Sequence, residues 1–271
     1  MKMKLDELRK IYLKDPKTLL SIDSGRAKRI KKNIENFIKS KASNGAVIGL
    51  SGGLDSTTCA RLSVNSLGRG KVLGLILPSK SSLKKDVKDA KDVAESLGIK
   101  YKCINIDKAV NEFFNICPAA NKVEKGNIRA RVRMIILRHY AHHLNRIVIG
   151  TGNKSEIACG YFTKNGDAGV DILPIGDLYK TEVKQLAAYL KVPEKIIRKV
   201  PSAGLWKGQT DEKEIGIGYA VLDEILLGLD LGLPARDISR AVNVKKRTVE
   251  RVIEIKRNAK HKLELPVARL D

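Results

Sequence analysis

Ser51-Gly52-Gly53-Leu54-Asp55-Ser56 follows the apolar run Ala46-Val47-Ile48-Gly49-Leu50, and its residue types suit one kind of chemistry. Two adjacent glycines remove the Cβ atoms that would block a close approach, so successive backbone N–H groups can line one concavity. A helix beginning just after them adds its unpaired N-terminal donors and the positive end of its dipole. Ser51 and Ser56 supply hydroxyls, and Asp55 supplies a carboxylate able to hold Mg²⁺ against phosphate oxygens. A nucleoside triphosphate is the ligand such a loop fits. The loop is not of the Walker type, which requires G-x-x-x-x-G-K-[ST], because no lysine follows Gly53.

A second chemically loaded run is Gly150-Thr151-Gly152-Asn153-Lys154-Ser155-Glu156. It lacks the third glycine of the dinucleotide fingerprint G-x-G-x-x-G, since Ser155 stands there, and that argues against a Rossmann dinucleotide turn. The alternative is a loop in which Thr151 meets the nucleotide and Glu156, a hard oxygen ligand, helps coordinate Mg²⁺ opposite Asp55. Taken alone, Glu156 is equally a solvated carboxylate at a helix start. The next twenty-odd residues add Lys164, Asp171 and Lys180. Lysine is abundant here, so Lys164 and Lys180 acquire meaning only from their motifs.

The elements that must position these loops read as an alternation. Leu5–Leu13 and Ala27–Ser40 are helical, the latter because Ile30, Ile34, Phe37 and Ile38 recur at helical spacing. Strands over Ala46–Leu50, Val72–Leu77, Tyr101–Ile106 and Arg146–Gly150 are separated by helices over Thr57–Leu67, Lys84–Leu97 and Gly126–Leu144. Short apolar strands between helices imply βαβ units and a doubly wound, largely parallel α/β sheet of Rossmann-like type. Ligands on such sheets bind at the carboxyl ends of the strands, so both loops are expected to converge on one site. Beyond Asp177 the pattern is wholly helical: Leu178–Leu190, Pro193–Val200, Asp211–Leu229 and Val249–Lys260, with Asp211 and Glu214 placed as a capping-box-like pair and Pro193 suited to a first helical turn. No internal repeat or flexible linker is evident. One domain over 1–271 is expected, with N-terminal helices (1–44), an α/β nucleotide-binding core (45–176) and a helical C-terminal part (177–271).

Composition bounds the function. No apolar run is long enough to span a bilayer, and the N-terminus lacks a secretory h-region, so a cytoplasmic protein is expected. Cys59, Cys103, Cys117 and Cys159 form no C-x-x-C pair, which argues against zinc and fits reduced, buried thiols. The formal net charge of +22 points to polyanionic partners, nucleic acid first. However, only 4% of residues are aromatic, so stacking platforms for single strands are scarce. Charged residues also abound in proteins from hot habitats.

The order serine–double glycine–x–aspartate–serine resembles the pyrophosphate loop of N-type ATP pyrophosphatases, which cleave ATP between the α and β phosphates. Taken together, Ser51–Ser56, Asn127-Ile128-Arg129-Ala130-Arg131, Gly150–Glu156, Tyr161–Asp171, Pro174–Val183 and the closing His261-Lys262 resemble the ammonia-dependent NAD synthetases, in that family's order. The resemblance covers the chain from about residue 20 onward and implies the same α/β fold, usually as a homodimer. It implies that Gly49, Leu50, Ser51, Gly52, Gly53, Leu54, Asp55 and Ser56 cradle ATP, joined by Thr151, Lys180 and Ser202. Ser202 stands where some members have threonine. Asp55 and Glu156 would hold Mg²⁺, with Asp55 and Lys180 as the catalytic groups. Arg131, Lys164, Asp171, His261 and Lys262 would bind deamido-NAD⁺, and Leu205–Asp211 would close over the reacting groups. The nitrogen donor would be free ammonia, or ammonia from a separate amidase subunit.

One feature favours another class. Ala235–Val244 followed by Lys245-Lys246-Arg247-Thr248-Val249 has the look of a helix-turn-helix with a basic second helix. The competing reading is therefore a nucleic-acid-directed protein: a DNA binder, or a tRNA-modifying enzyme with the same loop. NAD synthetases carry a helical pair of this appearance before the His-Lys tail, so neither nucleic acid nor a membrane is an expected partner.

Overall fold

A computed structural model describes residues 3–118, 121–206 and 208–263. Its centre is a four-stranded, all-parallel sheet in the order β3-β2-β1-β4, formed by β1 (Ala46–Gly49), β2 (Val72–Ile76), β3 (Lys100–Cys103) and β4 (Ile147–Ile149). In register, Ala46 lies beside both Val72 and Ile147. The alternation of side chains along each strand divides the apolar residues between two faces. Ala46, Ile48, Val72 and Ile76 enter one core with the helices α3 (Ser24–Lys41), α4 (Leu54–Leu67), α5 (Lys84–Ser96), α9 (Lys180–Tyr189) and α10 (Glu194–Ile197). Val47, Leu73, Leu75 and Val148 enter the other with α6 (Asp107–Ile116) and α7 (Lys122–His143).

A third core lies among α12 (Tyr219–Asp230), α13 (Ala235–Ala241) and α14 (Lys246–Leu263). The N-terminal helix α1 (Leu5–Lys14) joins it: Tyr12 is fully buried and its hydroxyl donates to Glu224 O at 2.8 Å. Three short helices complete the set: α2 (Pro16–Leu20), α8 (Lys154–Cys159) and α11 (Asp211–Ile215).

The strand order decides where a ligand can sit. β1 leads to β2 on one side, while β4 lies on the other, so the winding reverses between β1 and β4 and opens a crevice at their carboxyl ends. α4, whose N-terminus faces that crevice, is lined with hydroxyls that would otherwise be orphaned by burial. Thr57 Oγ1 donates to Gly53 O, Thr58 Oγ1 to Leu54 O and Ser63 Oγ to Cys59 O, each the back-bond to the fourth preceding carbonyl.

Several expectations need correction. Asp211–Leu229 is not one helix: the chain breaks over 216–218, where Gly216 takes φ +79°, a left-handed turn that ends α11. Asp211 is the first helical residue there, not the cap; Thr210 takes that place without a side-chain bond. Pro193 precedes α10 as its N-cap. β3 is shorter than the alternation suggested and largely exposed, as befits an edge strand. The thiols are not uniformly buried: Cys59 is, Cys159 is half-buried, and Cys103 and Cys117 are exposed. Among the described residues no helix is long and apolar enough to cross a membrane.

Candidate active site

Gly52 could not be another residue. Its φ is +73°, and a Cβ there would lie 2.3 Å from Asp86 O on the first turn of α5. The loop is thus pressed onto α5, and its interior is knit by hydroxyls. Gly53 N donates to Ser51 Oγ at 3.2 Å, Ser51 N to Ser56 Oγ at 3.3 Å, and the two hydroxyl oxygens lie 3.0 Å apart. These polar groups are the ones an anion would engage. Gly49 ends β1, Leu50 is buried with its N–H on Leu75 O at 2.8 Å, and Leu54 and Asp55 open α4.

The second loop leaves β4 at Gly150, where a Cβ would meet Val170 Cγ2 at 2.5 Å because the 170–173 segment runs alongside. Thr151 is half-buried in this loop. Asn153 then caps α8 reciprocally with Glu156: Glu156 N donates to Asn153 Oδ1 at 3.0 Å and Asn153 N to Glu156 Oε2 at 3.2 Å. Asn153 is fully buried, and its Nδ2 donates to Asp55 Oδ1 at 3.1 Å, which joins the two loops.

Lys180, at the start of α9, supplies the charge between them. Its Nζ is 2.6 Å from Asp55 Oδ2 and 3.1 Å from Glu156 Oε1, over the Tyr219 ring at 5.2 Å. Burial alone would lower the ammonium pKa, but Asp55 and Glu156 outweigh it and hold the group above its usual range. Burial pushes the Glu156 carboxyl up to about 7; Lys180 pulls it down, while Asp55 and Asp211 add to the rise. Asp211 accepts from Tyr219 Oη at 3.2 Å on Oδ2, and its buried Oδ1 has no hydrogen-bond partner. Asp223, fully buried on α12, places Lys180 from behind. It accepts from Ser155 Oγ at 2.5 Å and from Thr181 N at 2.8 Å, and Ser155 Oγ accepts from Lys180 N at 2.9 Å.

The remaining candidates fall in two places. Ser202 Oγ donates to Gln209 O at 2.8 Å and accepts from Gly204 N at 3.1 Å, within the segment between α10 and α11. Arg129 Nη1 reaches Leu205 O of that segment at 3.1 Å; Lys207 within it lies outside the described residues. At the end of α14, Lys164 Nζ donates to His261 O at 2.8 Å, while Lys262 Nζ donates to Gly160 O at 2.7 Å and Phe162 O at 3.0 Å. Lys164, His261 and Lys262 therefore form one cluster. Asp171 is paired with Arg138 and accepts from Val148 N at 2.7 Å. Arg131 is exposed, on the side of α7 opposite Arg129 and Arg133. Arg133 is half-buried, its pKa drawn down to about 10 by desolvation and then by Arg129, and its Nε donates to Leu77 O at 3.0 Å.

Sequence reasoning passed over Ser155, Tyr219 and Asp223 and gave Asn153 no role. Asn153 carried a signal, since Asn-x-x-Glu before a helix is a capping box. Asp223 carried none: it lies 42 residues from Thr181, and only packing joins them. The basic helix of the supposed helix-turn-helix is tied down as well. Ala259 of α14 lies so close to α8 that a Cβ on Gly160 would approach it to 2.7 Å.

A sheet that reverses its winding beside two glycine-bearing turns, with a buried lysine bridging a carboxylate from each, defines a doubly wound α/β protein with a nucleotide-type site. The NAD synthase family profile matches residues 26–266, and the chain belongs to that family. It is 49% identical over 233 residues to the NH3-dependent NAD(+) synthetase of Pyrococcus furiosus, covering 85% of this chain and 90% of that one. A second relative, from Archaeoglobus fulgidus, carries the same name at 49% identity over 88% of this chain and 93% of its own. Among solved structures, an NMN synthetase from Francisella tularensis superposes with a TM-score of 0.80 at 38% identity, covering 90% of this chain and 99% of that one. An NH3-dependent NAD synthetase from Campylobacter jejuni superposes with a TM-score of 0.75 at 29% identity, covering 92% and 100%.

Proposed function

We propose that this chain is a carbon–nitrogen ligase that amidates deamido-NAD⁺ with ammonia, coupled to cleavage of ATP to AMP and pyrophosphate, the last step of NAD biosynthesis. The observation that carries it is the Lys180 ammonium between Asp55 of the first loop and Glu156 of the second. That arrangement ties a phosphate-type loop to a cation-type carboxylate pair at the switch point of the sheet.

A carboxylate resists ammonia because oxide would have to leave. The nicotinate carboxylate oxygen therefore attacks the α-phosphorus, the bond to the bridging oxygen breaks, and pyrophosphate departs with that electron pair. Ammonia then adds to the acyl carbon of the adenylate, the acyl C–O bond breaks so that AMP leaves carrying the former carboxylate oxygen, and a proton is released to solvent. The first step brings an anion to a polyanion. Lys180 and the N–H groups of 51–53 offset that charge; losing one such contact typically costs about 100–1,000-fold in rate. Fixed placement of both reactants supplies much of the rest.

The donor set fits Mg²⁺. Asp55, Glu156 and Asp211 outnumber Lys180 in charge, all offer hard oxygens, and Asp211 Oδ1 is buried without a partner. No group of three or more His, Cys, Asp or Glu among the described residues is arranged as a metal site. Mg²⁺ binds through one or two carboxylates, waters and substrate phosphates. When bound, the ion would neutralise phosphate charge. Asp55 and Glu156 would hold it, and Lys180 and Asn153 orient those two carboxylates.

Thr151 and Ser202 are read as further ATP contacts. Arg131, Lys164, Asp171, His261 and Lys262 are read as the deamido-NAD⁺ side, in a protein that occupies one domain and works as a cytoplasmic homodimer. The donor is free ammonia, or ammonia from a separate amidase subunit. The test is incubation with Mg-ATP, deamido-NAD⁺ and ammonium, with NAD⁺ read by a coupled dehydrogenase; no NAD⁺ from folded protein refutes the proposal. The likeness to the Francisella NMN synthetase favours one competing substrate, nicotinate mononucleotide. A higher kcat/KM for the mononucleotide than for the dinucleotide would select it.

A further inference from the structure

Lys199, two residues past α10, lies outside every role assigned so far, yet its side chain is only 17% exposed. Its Nζ donates to Gly52 O at 2.8 Å and to Asp86 Oδ1 at 2.8 Å, and forms an ion pair with Asp89 Oδ2 at 2.6 Å. We propose that Lys199 is a positioning residue for the phosphate loop: by holding the Gly52 carbonyl it aims the Gly53 N–H at the phosphate chain of ATP. The proposal rests on the reading of 51–56 as the ATP loop.

The physical link is the peptide plane. Gly52 C=O and Gly53 N–H belong to one trans peptide unit, so they point in opposite directions. Anchoring the carbonyl outward on Lys199 turns the amide inward, where it now donates to Ser51 Oγ. Glycine on both sides of that unit makes the anchor necessary, because Gly52 and Gly53 lose more conformational freedom on ordering than other residues. Asp86 and Asp89, from the helix that Gly52 rests on, fix the ammonium in turn. Their two charges outweigh that of Lys199, so the lysine acts through the backbone rather than as a phosphate-binding cation. Lys199 also stands just before Pro201, whose carbonyl accepts from Asp211 N at 3.1 Å, and so links the loop to the segment leading to α11.

The rival account is that Lys199 only neutralises two acids near a polyanion site. Lys199→Met alone does not separate the two, because it leaves extra negative charge beside the phosphates. The double variant K199M/D89N does: it removes the clamp and keeps the local net charge of the native trio. MgATP binding is measured by titration calorimetry on native protein, K199M and K199M/D89N, with KM for deamido-NAD⁺ alongside. Loss of an oriented donor to a charged group predicts a Kd for MgATP about 10-fold or more weaker in both variants. KM for the dinucleotide should stay within about two-fold, a split that general loosening would not produce. Native-like MgATP affinity in folded K199M/D89N overturns the proposal, whatever K199M alone does. Failure of the native protein to bind MgATP overturns the ATP-loop reading and the proposal with it. If the double variant does not fold, Lys199→Gln is compared with Lys199→Met: both lose the charge, but the glutamine amide N–H can still donate to Gly52 O. The glutamine variant is expected to bind MgATP about three-fold or more tighter than the methionine variant, and equal affinities refute the clamp.

Discussion

Replacing Lys180 with methionine should damage the protein in two separable ways. The side chain is 8% exposed and each carboxylate it joins is 17% exposed, so methionine fills the space but leaves Asp55 and Glu156 facing one another without a cation. Breaking a buried pair by removing one partner costs about 3–5 kcal/mol. At about 2–4 °C per kcal/mol, the melting temperature should fall by roughly 6–20 °C. The pH dependence has a definite sign. The folded-state value for Glu156, about 7, lies above the ordinary 4.5, so its stabilising contribution is present below pH 4.5 and lost as pH rises through 7. Without Lys180 the downward pull on Glu156 disappears and that window moves up, so the deficit against native protein is larger at pH 8 than at pH 6. Thermal melts at both pH values, with and without Mg²⁺, measure this. Mg²⁺ should recover more stability in the variant than in the native protein, while NAD⁺ formation stays about 100–1,000-fold down. A native melting temperature at pH 8 would refute the account of Lys180 as the cation that holds two buried carboxylates together.

Gly52→Ala places a Cβ 2.3 Å from a backbone oxygen at φ +73°. It should cost about 1–3 kcal/mol from the backbone conformation alone, more with the clash, and weaken MgATP; an unchanged denaturation midpoint would contradict this. Asp55→Asn should leave the fold intact, since its one amide oxygen can still accept from Asn153 and Lys180 keeps Glu156, yet cripple pyrophosphate release; near-normal turnover at ordinary Mg²⁺ removes Asp55 from the site. Arg131 is exposed, so Arg131→Ala should raise KM for deamido-NAD⁺ by about ten-fold, the worth of one charged hydrogen bond, without moving the melting temperature. An unaltered KM would take Arg131 out of the substrate site. Purified protein should use ammonium and not glutamine, and equal rates with the two donors would refute that.

Much of this architecture is legible locally. Ala46–Leu50 must be a buried strand because its apolar residues face both ways, and the double glycine after it must be a turn because only glycine accepts that backbone. The capping logic of Asn153 and Glu156 is likewise written in four residues. Local signals were weaker where two helices share one apolar pattern: 211–229 reads as continuous, and Gly216, a tolerable residue inside a helix, proves to be its end. The short helix Pro16–Leu20 left too few turns of periodicity to detect.

The glycine–hydroxyl loop, the parallel α/β class and the family follow from the sequence, because each rests on backbone chemistry or on motifs a few residues long. Packing alone shows what Lys180, which its motif had singled out, touches, and that Lys199 joins the loop at all. Lys180 is separated from Asp55 by 125 positions and Lys199 from Gly52 by 147, and in a chain rich in lysine neither spacing nor composition marks those pairings. What marks them is burial: an ammonium taken out of water must find carboxylates or carbonyls. Only the packed fold shows which ones it found.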